Sequence, residues 1–168
     1  SLSADGRELY FVSDRKGGLG GRDLYVSYQL DKGKWTKAEN LGAAINTRYD
    51  EISPFIHVNG RTLFFASNGR PGFGGYDLYR TERDNGKWSV PENFGAPVNN
   101  FEDQFSLFIT ADGKLHVHTG VGNLGTYSHS GTARVAAELL NYKWENTIVE
   151  RGDTRRGLPW ASNQAGSL

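Results

Sequence analysis

The 168-residue chain contains no cysteine, which excludes disulfides, thiolate metal sites and redox chemistry at sulfur. It has no net charge either: 19 Lys and Arg stand against 19 Asp and Glu. No uniform field is available to attract nucleic acid or an anionic membrane surface, so neither is expected as a partner. No apolar run approaches the roughly 20 residues of a membrane-spanning helix. Ser1 to Arg7 is polar rather than signal-like, so an exported protein would have its natural start upstream of Ser1 and this chain would be a fragment.

What the sequence does have is glycine and aromatics. Gly is 22 of 168 residues, nearly twice its usual share of about 7 %, and Phe 9, Tyr 8 and Trp 4 accompany it. Tight-turn residues combined with strand-favouring rings point to an all-β chain with little helix. The order of these residues repeats. Asp5 to Tyr25 (DGRELYFVSDRKGGLGGRDLY) aligns without gaps on Asn59 to Tyr79 (NGRTLFFASNGRPGFGGYDLY), with 11 of 21 positions identical. After one deletion the match resumes, Gly33 to Ile56 on Gly86 to Ile109. A third copy opens at Phe105 to Lys114 and then fails, with His116, His118 and Gly120 where Leu9, Phe11 and Ser13 predict a buried strand and its end.

One repeat reads as four short strands. Ile52 to Val58 ends at the Asn59-Gly60 turn, whose residues tolerate positive φ, and Thr62 to Ser67 returns as a hairpin. Leu78 to Glu82 is the third strand, Asn85-Gly86 the next turn, and Trp88 opens a fourth, less regular strand ending near Phe94-Gly95. The strand from Leu9 is apolar on both faces, Leu9 and Phe11 on one and Tyr10 and Val12 on the other, so both must be covered. A four-stranded antiparallel unit of about 50 residues, covered by units like itself, is a propeller blade. The expected fold is a partial β-propeller with an irregular C-terminal segment: blades at 1–51 and 52–104, the start of a third at 105–114, and 115–168 beyond. For 115–168 three readings stand: a degenerate blade, a cap, or an altered reading frame after Lys114. A short helix is predicted from Thr132 to Leu140, because Ala, Glu and Leu favour helix, and Lys143-Trp144 falls near the place of a third Lys-Trp pair.

The recurring Ser3-Ala4-Asp5-Gly6, Leu9-Tyr10-Phe11, Gly17 to Gly21 before Asp23-Leu24-Tyr25, Trp35, Glu39-Asn40-Leu41-Gly42, Asn46 and Asp50-Glu51 resemble the WD-like repeat of TolB-like propellers. The version they resemble is the one attached to OmpA-family outer-membrane proteins of Bacteroidetes-type bacteria, and the resemblance covers residues 1 to about 114. It implies a periplasmic or outer-membrane-associated, non-enzymatic scaffold that contacts an envelope protein or a peptidoglycan-linked assembly. Propellers need about four to eight blades to close. Two and a part imply either a fragment or several copies completing one ring.

In an up-and-down meander the glycine-rich loops and the loops between repeats share one end of the blades, and the Asp-Gly hairpins share the other. The acidic pairs Asp50-Glu51 and Glu102-Asp103, with Tyr49 and Phe101 beside them, are therefore the candidate binding residues. Clustered carboxylates suit a hard cation such as calcium, but capping of loop amides accounts for them, and neither a metal nor a cofactor is assigned. The runs Gly17 to Gly21 and Gly72 to Gly75 lack the Gly-Lys-Ser/Thr ending of a phosphate loop. They read as strand connections needing positive φ, with Asp23 and Asp77 bonding loop amides. His116 and His118 share a strand face, with His129 as a third conceivable zinc ligand, but no Cys or placed carboxylate joins them. Arg151-Gly152-Asp153 spells an integrin-type tripeptide that chance explains. There is no Gly-x-Ser-x-Gly elbow and no sialidase-type Asp box, and no catalytic residue is assigned. The competing reading is a carbohydrate-binding or glycosidase-type propeller, which requires exposed aromatics beside acids at the loop end.

Overall fold

A computed structural model describes residues 1–110, 114–119, 137, 138, 140, 141 and 143–151. They form an all-β protein of three sheets. The first contains β1 (Glu8–Ser13), β2 (Asp23–Tyr28) and β3 (Glu39–Asn40), in that order and antiparallel. The second contains β4 (Glu51–Ile56), β5 (Thr62–Ser67), β6 (Asp77–Asp84) and the two-residue β7 (Lys87–Trp88), with β8 (Glu92–Asn93) also on β6. The third pairs β9 (Gln104–Ile109) antiparallel to β10 (Leu115–Thr119), which then pairs in parallel with β11 (Thr147–Arg151).

The strands of the first two sheets keep the register of the repeat. Glu8–Ser13 corresponds to Thr62–Ser67, and Asp23–Tyr28 to the first six residues of β6. The expected fourth strand is instead two short pieces. Pro91, which has no N–H to give a ladder, lies between β7 and β8, and each piece pairs with β6 separately. In β4, Ser53 takes φ 53° ahead of Pro54, and the pairing with β5 shifts register between Ile52 and Phe55. Pairing also continues past Lys114, where the sequence pattern fails: β10 forms, but its second neighbour runs parallel rather than as the antiparallel third strand of the repeat. The helix expected at Thr132 to Leu140 falls almost entirely outside the described residues.

The sheets pack face to face. Every residue of β5 is buried, and its alternation divides the core. Leu63 and Phe65 join Tyr10, Leu24, Val26 and Ile45 between the first and second sheets. Phe64 and Ala66 join Leu78, Val98, Leu107 and Leu115 toward the third. In β1 only Tyr10 is fully buried, while Leu9 and Phe11 on the other face are half-covered. Phe11 stacks on Tyr25, and Arg15 lies over both rings. Among the described residues no helix is long and apolar enough to cross a membrane, which bears on helical spans and not on β-barrels.

Candidate functional site

The loops at the Glu51 end of β4 make one continuous surface, and small residues allow it. The glycine loop between β1 and β2 lies against the connection that leads into β4. Gly21 N–H donates to the Tyr49 carbonyl (2.9 Å), and a Cβ at Gly20 would meet the carbonyl oxygens of Thr47 and Tyr49. The loop between β5 and β6 repeats this, since a Cβ at Gly74 would meet the carbonyls of Asn100 and Glu102. Of these two runs only Gly17 has positive φ. The expectation that they serve a positive-φ connection is thus corrected: Gly20, Gly21, Gly74 and Gly75 are small because backbone and carboxylate oxygens sit where a side chain would begin.

A polar network under each loop fixes it. Asp23, 1 % exposed, accepts from the amides of Leu19 and Gly20 (3.1 Å for Gly20) and from Asn40 Nδ2 (2.7 Å). Asn46 pairs with Leu24 through both backbone groups (2.8 and 2.9 Å) and donates to Asn40 Oδ1 (2.8 Å). The second sheet repeats the set with Asp77, Asn93 and Asn99. It differs in where the donors point. Asn93 Nδ2 turns to the Pro71 carbonyl (3.4 Å) rather than to the aspartate, and the Phe73 and Gly74 amides both donate to Asp77 Oδ2, so among the described residues Asp77 Oδ1 is a buried oxygen without a hydrogen bond. Of the asparagines, Asn40 and Asn46 belong to the recurring signature, but only the fold reveals their role.

The candidate residues separate by environment. Glu51 is fully buried and does not face a binding surface: its carboxylate accepts from Thr47 N (2.8 Å), Thr47 Oγ1 (2.8 Å) and Ser67 Oγ (2.7 Å). Its counterpart in the next repeat is Gln104, not a member of the Glu102-Asp103 pair. There Asn100 replaces Thr47, accepting from Gln104 Nε2 (3.0 Å) and donating its amide to Gln104 Oε1 (3.3 Å). A carboxylate needs donors around it and an amide needs one of each kind, so the two residues change together.

Asp50 and Asp103 are true counterparts at the two sheet junctions. Asp50 accepts from Arg22 N (2.8 Å), Arg22 Nη2 (2.8 Å) and Tyr76 Oη (3.0 Å). Asp103 accepts from Tyr76 N (2.8 Å). Arg22 and Tyr76 are themselves repeat counterparts that differ in type, which is why the repeat conceals them. The Arg22 guanidinium holds the Asp50 carboxyl below its ordinary range, with the Tyr76 hydroxyl adding to the effect, while burial alone raises Glu102 above its own.

Exposed at this end are Tyr49 and Phe101 (47 % and 76 %), together with Leu19 and Phe73 at the tips of the two glycine loops. Arg48 lies over the Tyr49 ring, 4.9 Å from its centroid, and donates to its hydroxyl. His116 stacks on Phe108, and His129, Gly152 and Asp153 lie outside the described residues. Among the described residues no three His, Asp or Glu side chains are grouped to hold a metal ion. Neither a protein-family model nor any curated protein matches the chain.

Proposed function

We propose that the chain is part of a TolB-like β-propeller of the bacterial cell envelope, periplasmic or outer-membrane-associated, and that it works as a non-enzymatic scaffold holding a protein partner at its loop end. The repeat supports the propeller reading: the first two sheets share their strand positions and register, and successive sheets pack face to face along the chain. The observation that carries the functional reading is the row of exposed apolar tips, Leu19, Tyr49, Phe73 and Phe101, standing on loops fixed from beneath. Rigid, exposed aromatic groups surrounded by polar residues are the composition of a protein-contact surface. Of the acids beside them, Asp50 and Asp103 are occupied with amides, Arg22 and Tyr76 rather than presented as an acid and base pair.

Carbohydrate binding is the second reading, because Tyr49 and Phe101 place exposed rings beside Asp50 and Glu102. A double variant F73A/F101A separates the two. Partner capture from an envelope fraction is lost while V58A/V90A, on exposed residues elsewhere, retains it. A glycan array bound by the wild type and lost in Y49A would favour the second reading, and turnover on a glycan or peptide panel would overturn the non-enzymatic one. Light scattering after size exclusion tests the ring: a stable, well-folded monomer would sink both closure by several copies and the need for further blades.

A further inference from the structure

The hairpin end of the second sheet, opposite the loop end, holds a cavity of about 220 Å³ between β6, the end of β9 and the segment at Leu140. Phe64, Ile109 and Leu140 give it an apolar lining, and Arg80, Glu82 and His57 stand around them. Arg80 and Glu82 are two residues apart on β6, so they leave the same face of the strand with Cα atoms about 7 Å apart. Each is oriented by a neighbour yet keeps bonding capacity. Arg80 directs Nε and Nη2 to Glu92 Oε2 (3.1 and 3.0 Å), which leaves Nη1 unengaged among the described residues. Glu82 Oε1 accepts from the Thr62 hydroxyl (2.9 Å), which Asn59 Nδ2 fixes in turn (3.0 Å), and its second oxygen is unengaged among the described residues.

A guanidinium with one nitrogen beyond its Glu92 pair and a carboxylate, beside a small cavity whose lining is partly apolar, complement a molecule that carries both charges close together on a compact apolar body. The volume is below the roughly 300 Å³ at which drug-sized ligands are accommodated, which suits a small molecule. A neutral monosaccharide would leave Glu82 without an ionic partner and would add no charge-assisted bond to Arg80, which Glu92 already pairs. We propose that this cavity binds a free α-amino acid with a medium-sized apolar side chain, its carboxylate on Arg80, its ammonium on Glu82 and its side chain against Phe64, Ile109 and Leu140.

Titration of the isotope-labelled protein with L-leucine and with L-phenylalanine, followed by amide resonances, tests this. Saturable shifts are expected at Arg80, Glu82 and Phe64 with a millimolar or tighter Kd. N-acetyl-L-leucinamide, with both charges removed, and glucose should produce none. E82Q keeps an acceptor for Thr62 and R80Q lies on the exposed face, so both fold, and each should weaken leucine binding at least about tenfold. No saturable shift up to about 10 mM, equal binding of the blocked amide or of glucose, or unchanged affinity in both variants would overturn the proposal.

Discussion

Removing the Glu51 carboxylate tests the claim that the most buried acid of the loop end is structural. Glu51→Ala leaves three donors, Thr47 N–H, Thr47 Oγ1 and Ser67 Oγ, around an empty space. The hydroxyls can turn to other acceptors, but the amide cannot. A buried donor without a partner costs about 1–3 kcal/mol, and bonds to a charged acceptor are each worth about 1.5–3 kcal/mol. With non-additivity and the lost side-chain volume, the whole comes to about 3–5 kcal/mol, or about 10 °C in Tm for a chain of this length. Glu51→Gln keeps the volume and one acceptor for the Thr47 amide, and the hydroxyls can accept from its new N–H₂, so about 1–2 kcal/mol is expected. Adding Thr47→Asn rebuilds the pair already present as Asn100 and Gln104, and should recover part of that loss, a coupling of at least about 0.5 kcal/mol. Urea unfolding followed by tryptophan fluorescence measures all three. A Glu51→Ala cost below about 1 kcal/mol, or no coupling with Thr47→Asn, would refute the reasoning.

Gly20→Ala and Gly74→Ala should each cost more than Gly60→Ala in the same unfolding assay, because a Cβ at the first two meets backbone carbonyls, whereas Gly60 faces open space and carries only its positive φ, a penalty of about 1 kcal/mol. Asp50→Asn tests the junction with Arg22 and Tyr76. A carboxyl held below its ordinary value binds its proton more weakly in the folded chain than in the unfolded one, so it adds stability above the unfolded pKa of about 3.9 and loses it as pH falls through the depressed value. The Tm gap between wild type and D50N, small because the pair is solvent-screened, should therefore be present at neutral pH and close in strong acid. Arg83 joins the first two sheets through both Glu8 oxygens (2.9 and 3.0 Å), the Gly60 carbonyl (2.7 Å) and the face of Trp88. Its side chain is 22 % exposed and that of Glu8 18 %, so Arg83→Met should cost about 1.5–3 kcal/mol, more than Arg80→Met at the more exposed Glu92 pair.

The strand and turn pattern was legible in the sequence because local chemistry sets it. Asn59-Gly60 predicts its hairpin, Thr62–Ser67 forms with the bounds expected, and the alternation of Leu63 and Phe65 against Phe64 and Ala66 already requires cover on both faces. The up-and-down order of the strands also brings the glycine and inter-repeat loops to one end. Long-range contact decided the rest. Whether an acid is a surface group or a buried acceptor depends on Ser67, sixteen residues away, in the case of Glu51, and on Arg22, twenty-eight residues away, in the case of Asp50. The glycines at 20 and 74 are required by carbonyls that approach from another loop, which no local turn rule contains. The parallel pairing of β11 with β10 is likewise a matter of which distant segment reaches an open strand edge. The sequence by itself determined the period, the strands and the faces they bury. The tertiary structure alone decided which polar groups meet, because hydrogen bonds act over about 3 Å and only the packed sheets bring their partners that close.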